Sequence, residues 1–237
     1  MLPCGPTMDG CWRLRRTPLA GASPKCSWPS CFPEIRHRWI TVAKAMTLRM
    51  ATSDDAAGVA AVYLPYVRDT AISFETQQPS VEEMRSRLTT TLATLPWLVI
   101  TDGPRVKGYA YASPHRAREA YRWSVDVSLY LDASIHRQGQ GRRLYTALLN
   151  LLGAQGYINA YAAITLPNAA SVGLHEALAF RRVGVFPRVG FKQQRWWDVG
   201  WWHRRLADPP AVPEEPRPWT RLPAPTINSA LAVHPAQ

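Results

Sequence analysis

Ser124-Val125-Asp126-Val127-Ser128-Leu129-Tyr130-Leu131, followed shortly by His136-Arg137-Gln138-Gly139-Gln140-Gly141-Arg142, decides how this chain folds. In the first segment Val125, Val127, Leu129 and Leu131 alternate with Asp126, Ser128 and Tyr130. That is the period of a strand with one apolar and one polar face. The second segment is a glycine turn leading into a helix read from about Arg142 to Leu152, ended by Gly153 and Gly156. A strand, a glycine turn and a helix start gather backbone N–H groups in one concave place, and the helix adds partial positive charge there. Gly139 and Gly141 let the main chain approach a ligand with no side chain between them. Such a nest suits a pyrophosphate, and Arg137, Arg142 and Arg143 add charge at its rim. A plain helix-opening turn has the same composition, so the surroundings must decide. Neither the P-loop lysine motif nor GxGxxG is present.

On the N-terminal side, Thr47–Ala51 reads as a short strand. Ser53 caps a helix with Asp54 and Asp55 in its first turn, where carboxylates suit the helix dipole. This helix runs toward Val67, and Pro65 is expected to bend or end it. Ser80-Val81-Glu82-Glu83 is a capping box opening a second helix. Trp97–Thr101 and Val106–Ala112 read as strands joined by a turn at Asp102-Gly103-Pro104. On the C-terminal side, Ala160–Ile164 is an apolar strand, and Pro167-Asn168 precedes a helix from Ala169 to about Leu178. Two last strands span roughly Phe180–Phe186 and Lys192–His203. The order β-α-α-β-β-β-α-β-α-β-β predicts a mixed α/β (α+β) sheet domain.

The 237 residues carry 28 Lys+Arg against 17 Asp+Glu, a formal net charge of +11, and are 46% apolar. That excludes a wholly disordered chain. No apolar run is long enough to predict a membrane span. Pro is concentrated at both ends, and all four Cys (Cys4, Cys11, Cys26, Cys31) lie near the N-terminus. The predicted organisation is an N-terminal extension at 1–46 without strand or helix period, a domain at 47–206, and a Pro-rich tail at 207–237. The Cys spacing fits neither a zinc site nor, with no Cys in the domain, a disulfide framework. Met46 would serve as an alternative start. The tail is expected to be extended and partly polyproline-like, with Trp219 available to staple it to the domain.

The glycine loop resembles the acetyl-CoA loop of the GNAT superfamily of N-acetyltransferases, whose form is [Gln/Arg]-x-x-Gly-x-[Gly/Ala]. Here it reads His136-Arg137-Gln138-Gly139-Gln140-Gly141, departing at the first position. The chain is more specifically similar to the phosphinothricin N-acetyltransferase branch, through Ser73-Phe74-Glu75, Pro96-Trp97-Leu98-Val99 and Pro114-His115-Arg116-Ala117-Arg118-Glu119-Ala120-Tyr121. The likeness continues in Leu166-Pro167-Asn168, Leu174-His175-Glu176-Ala177-Leu178 and Asp198-Val199-Gly200-Trp201-Trp202, and covers about residues 47–206. It implies a mostly antiparallel central sheet splayed between the fourth and fifth strands, flanked by about four helices.

It also implies chemistry. An amine must lose a proton to attack a thioester, so a base is required. The branch has a Glu where this chain has Asp126, one methylene shorter. His175 matches a His implicated in catalysis, although a structural His on a half-buried helix fits the residue equally well. The resemblance assigns acetyl-CoA to the main chain of Leu129, Tyr130 and Leu131, to Arg137, Gln138, Gly139, Gln140, Gly141 and Arg142, and to Asn168, which can cap its helix as well. Arg116, Arg118 and Tyr121 would hold the acidic groups of the acceptor, Arg by paired hydrogen bonds. Phe74 would form an apolar wall, and Tyr130 would line the pocket.

The implied activity is direct transfer from acetyl-CoA, without metal, to the α-amine of a small acidic amino acid or analogue such as phosphinothricin, methionine sulfone or methionine sulfoximine. No Cys in the domain is present to carry the acetyl group. A cytoplasmic homodimer is the implied setting, and Trp196, Trp197, Trp201 and Trp202, which suit a core or a subunit seam, are read as the seam because the branch commonly forms homodimers. Two rivals stand beside this reading. One is an acyl-CoA binder made catalytically weak by Asp126. The other is a nucleic-acid binder, prompted by the basic charge, although no dense Lys/Arg run supports it.

Overall fold

The computed structural model describes residues 46–233. The readings of residues 1–45, including the four Cys and the zinc and disulfide alternatives, lie outside the described residues. The elements run β1 (Thr47–Met50), α1 (Ala56–Asp69), α2 (Val81–Leu92), β2 (Trp97–Asp102), β3 (Arg105–Pro114), β4 (Ser124–Leu131), α3 (Gln140–Gln155), β5 (Asn159–Leu166), α4 (Ala169–Ala177), β6 (Arg181–Lys192), β7 (Arg195–Arg205) and α5 (Ala224–Leu231). The seven strands form one sheet in the order β1-β2-β3-β4-β5-β7-β6. All neighbours are antiparallel except β4 and β5, which run parallel.

Alternation along the strands builds two cores. In β2, Leu98 and Ile100 join one apolar cluster while Trp97 and Val99 join the other, so a continuous apolar run buries both faces of the sheet. The first cluster includes Val125, Val127, Leu144 and Leu148, placing α3 on one face. The second includes Val59, Tyr63, Met84 and Leu88, placing α1 and α2 on the other.

Local chemistry refines several boundaries. The cap before α1 sits at Thr52 instead of Ser53. Thr52 N–H donates to the Asp55 carboxylate at 2.8 Å, and Asp55 accepts two hydrogen bonds of 2.7 Å from Arg49. The helix passes Pro65 and stops at Asp69. At α2, Ser80 Oγ accepts from Glu83 N–H at 3.1 Å, but the Glu83 carboxylate pairs with Arg87. Helix α3 runs through Gly153 and ends at Gly156, where φ is +96°.

The largest local difference concerns the last hairpin. Strand β6 continues past Phe186 to Lys192, and the turn falls at Gln193-Gln194, with φ of +52° and +62°. Pro187 and Gly190 look like strand breakers in sequence. They flank a register shift between Phe186 and Gly190, where a bulge tolerates both.

The Pro-rich tail also departs from the extended form predicted for it. It contains α5, which packs on the α3 side of the sheet through Ala230, Ile227 and Leu231. Trp219 Nε1 donates to Leu92 O at 2.8 Å, and the Gln155 side chain donates to Thr94 O and Arg217 O. Hydrogen bonds to two segments, Leu92–Thr94 and Gln155, thereby anchor a stretch whose own composition is poor in apolar groups. Arg143, expected at the rim of the glycine loop, instead donates to Met46 O at 2.8 Å and Val233 O at 2.7 Å.

Candidate active site

The sheet opens at its parallel pair. Strands β4 and β5 pair only at Ser124↔Asn159, Val125↔Ala160 and Asp126↔Tyr161. Beyond Asp126 they diverge, leaving one edge of Val127–Leu131 without a strand neighbour. On the other edge β4 stays paired with β3 through Gly108↔Leu131. Asp132 N–H donates to Lys107 O and His115 N–H donates to Ser124 O. In an antiparallel ladder this turns the main chain of the even-numbered residues toward β3 and that of Val127, Leu129 and Leu131 into the gap.

Those three residues fare differently. Val127 O accepts from Tyr145 Oη at 3.5 Å. Leu131 O accepts from Tyr66 Oη at 2.6 Å, and Leu131 N–H donates back to it at 3.3 Å. Leu129 has no hydrogen-bond partner for its gap-facing main chain among the described residues. Of the three positions expected to hold the co-substrate arm, Leu129 therefore presents both groups, Leu131 has surrendered its own to Tyr66, and the Tyr130 main chain faces β3. The Tyr130 ring lies on the opposite face of the sheet from the Leu129 side chain, against Tyr63, Tyr66 and Tyr109 at 4.9–5.3 Å between centroids.

The glycine loop closes the wide end of the gap. Arg137 and Gly139 take left-handed conformations, φ +59° and +73°, and Gly139 is the N-cap of α3. The main-chain N–H groups of Arg137 through Arg142 have no partner among the described residues. The first to bond back is Arg143, to Gly139 O at 3.0 Å. Absence of a side chain at Gly141 lets α3 press against its neighbours. A Cβ there would lie 3.3 Å from the Leu131 and Leu174 side chains and 3.7 Å from Leu129. Gln140 Oε1 is buried without a partner at the same place. His136, at the position departing from the motif, brings Nε2 within 3.2 Å of Leu131 O and so ties the loop to β4. Arg137, Gln138 and Arg142 are exposed.

At the narrow end, Asp126 forms the last β4–β5 pair with Tyr161. Its Oδ1 is 2.6 Å from His115 Nδ1. Burial raises its pKa above the ordinary carboxylate value, opposed by the hydrogen bond and charge of His115 and by Arg116. The His115 ring stacks on Tyr161 at 4.4 Å and meets Tyr121 and Trp201 edge-on at 5.9 and 6.0 Å. The Arg116 guanidinium lies 5.5 Å over the Trp201 ring. Arg118 is exposed and opens the short turn Glu119–Tyr121. Phe74 is partly exposed, with its ring filling the space where Gly190 lacks a side chain.

His175 does not join Asp126. Its ring meets Tyr145 and Phe180 in the cluster on the α3 face, whereas the Asp126 side chain points to the opposite face. Nδ1 faces Ser171 O at 2.7 Å and Nε2 faces Tyr145 Oη at 3.2 Å, so both ring nitrogens are engaged. Burial lowers its pKa. Asn168 caps α4, its Oδ1 accepting from Ser171 N–H at 3.1 Å.

The structure thus brings Asp126, Arg116 and Tyr121 together around His115. His115 stands in a motif that gives it no role, and nothing in the sequence pattern singles out Tyr66, Tyr145 or Tyr161. The register Ser113↔Asp126 is what carries His115 to Asp126, and register is not readable from composition.

Residues 48–201 match the family model described as acetyltransferase (GNAT) domain. The chain is 37% identical over 179 residues to a phosphinothricin N-acetyltransferase of Streptomyces viridochromogenes, covering 76% of this chain and 97% of that one. It is 36% identical over 155 residues to an L-methionine sulfoximine/L-methionine sulfone acetyltransferase of Pseudomonas aeruginosa, covering 65% of this chain and 90% of that one. A crystal structure of a phosphinothricin acetyltransferase from Sinorhizobium meliloti in complex with AcCoA superposes with a TM-score of 0.68 at 34% identity, covering 72% of this chain and 94% of that one. The split sheet, the glycine turn and these likenesses lead to one assignment: the chain belongs to the GNAT family and is an N-acetyltransferase similar to the phosphinothricin acetyltransferases.

Proposed function

We propose that this enzyme transfers the acetyl group of acetyl-CoA directly to the α-amine of a small acidic amino acid or analogue, of the phosphinothricin or methionine sulfone and sulfoximine kind. The observation that carries the reading is the gap between β4 and β5, with unpartnered main-chain groups of Leu129 along it, those of Arg137–Arg142 in the loop at its wide end and Asp126 at its narrow end. These groups fit a thioester co-substrate. Bare N–H groups at the start of α3 suit the pyrophosphate, with Arg137 and Arg142 at the rim. The Leu129 N–H would polarise the thioester carbonyl, where preset donors are worth most.

On the acceptor side, Arg116 and Arg118 hold the carboxylate or phosphinate, Tyr121 and Tyr130 line the pocket, and Phe74 forms an apolar wall. Asp126, the half-buried carboxylate on this face, serves the removal of the acceptor's proton. His175 holds Tyr145, and through it the edge of the gap, and has no part in proton transfer. A thiol-release assay with acetyl-CoA against phosphinothricin, methionine sulfone and common amino acids tests the reading. Acetyl-CoA binding with no CoA release from any acceptor would favour the acyl-CoA binder instead.

Arg118→Ala is expected to raise the KM of an acidic acceptor by roughly tenfold or more, the loss of one charge-assisted hydrogen bond. Acetyl-CoA affinity should be unchanged. Steady-state kinetics on acidic and neutral acceptors check this, and equal KM values in both proteins would remove Arg118 from recognition.

The seam reading of the tryptophans divides. Trp202 is core, 2% exposed. Trp196 joins Val183, Phe186, Val189 and Phe191 of β6, each half or more exposed, on the hairpin at the edge of the sheet. We propose that a second copy of the chain covers this hairpin. Sedimentation should give twice the chain mass, and Phe191→Glu with Trp196→Glu should give the monomer. A wild-type monomer at micromolar concentration would contradict it.

A further inference from the structure

Among the described residues, His115 and Asp126 form the one hydrogen-bonded pair of an imidazole and a carboxylate. We propose that His115 Nε2 is the atom that takes the proton from the acceptor's ammonium group, with Asp126 holding the ring through Nδ1. The inference rests on the acetyltransferase reading above and assigns its proton transfer to a different atom.

The argument is geometric. The Asp126 carboxylate can only accept in this contact, so at 2.6 Å His115 Nδ1 carries the hydrogen, and in the neutral imidazole Nε2 carries the lone pair. Nε2 has no partner among the described residues. The ring has little freedom to leave this pose, because Tyr161 stacks on it and the Tyr121 and Trp201 rings close on it edge-on. His115 also lies between Asp126 and the loop bearing Arg116, Arg118 and Tyr121, the residues assigned to the acceptor. The relatives' resemblance implies Glu where this chain has Asp. A side chain one methylene shorter reaches less far toward the amine, and an imidazole on its Oδ1 extends the path outward.

The charged and titratable groups facing the ring are Asp126 from β4, Arg116 and Tyr121 from its own loop, and Tyr161 from β5. His203 of β7 stacks in turn on Tyr161 at 4.9 Å and is held by Asn159 Oδ1 at 2.9 Å.

The step balances as follows. One proton passes from the ammonium nitrogen to His115 Nε2 and then to solvent. The freed lone pair forms the C–N bond to the thioester carbonyl carbon, the C–S bond breaks, and the departing sulfur takes the nitrogen's second proton. The products are an N-acetyl acceptor, CoA thiol and one released proton.

The test uses the full chain. His115→Phe keeps the aromatic stack and removes the nitrogens. We expect kcat to fall by roughly 10²-fold or more, the range for a lost general base, with acetyl-CoA affinity retained and the acid limb of the kcat/KM profile altered. His115→Ala should recover turnover with added imidazoles, and the rescued rate should rise with their basicity. A His115→Phe enzyme within a few-fold of wild type, or rescue that ignores basicity, would overturn the proposal and return the role to the carboxylate. A wild-type enzyme that releases no CoA with any amine would defeat the acetyltransferase reading itself, and this inference with it.

Discussion

Replacing Asp126 with Asn is expected to lower kcat by roughly 10²-fold or more while acetyl-CoA binding stays largely intact. The substitution keeps the volume and removes the negative charge. In the native protein, burial holds the carboxylate above its ordinary pKa, and His115 opposes that by hydrogen bond and charge. An amide has no such charge to offer, and it can also donate to His115 Nδ1, which reverses the ring's tautomer and removes the lone pair from Nε2. Acetyl-CoA should be indifferent, since its contacts are assigned to Leu129 and to Arg137–Arg142. Steady-state kinetics with calorimetry on the same sample separate the two effects. Near-wild-type turnover would remove Asp126 from proton transfer in either role.

Gly141→Val should give the opposite signature, loss of acetyl-CoA binding in a chain that still folds. A Cβ at this position would already lie 3.3 Å from the Leu131 and Leu174 side chains. The two further methyl groups of Val have no room between β4 and α4, so the start of α3 must shift outward and carry the amides of Gln140, Gly141 and Arg142 with it. A roughly 10²-fold rise in Kd, about 2.7 kcal/mol, is the expected result. Circular dichroism should show a retained cooperative melt. Unchanged affinity would mean that the helix start does not hold the pyrophosphate.

Strands and helices on this chain are legible wherever one period dominates. The alternation Val125 to Leu131 and the run Trp97–Ile100 announce strands because apolar side chains must face a core. The glycine turn is legible for a similar reason, since φ values such as the +73° of Gly139 favour a residue without Cβ. The position of the hairpin from β6 to β7 is not legible, because Pro187 and Gly190 act as breakers only when no bulge accommodates them. The helix in the tail was missed because its anchors, Leu92 O, Thr94 O and Gln155, lie far away in sequence and reveal nothing until the chain is folded. The same limit applies at the site. Asp126 can be picked out as a carboxylate on a half-polar strand, but its contact with His115 depends on how β3 pairs with β4. The fate of the Leu131 main chain likewise depends on Tyr66, which arrives from α1.

The central claim is that main-chain groups in the gap between β4 and β5 hold acetyl-CoA. Titrating acetyl-CoA into the ¹⁵N-labelled chain and following the backbone amides tests it most directly. The account predicts saturable shifts concentrated at Leu129 and at Arg137 through Arg142, with the amides of Ser128 and Tyr130, already committed to β3, moving far less. Saturable binding that leaves Leu129 and the glycine loop unmoved, or no binding at all, would contradict it.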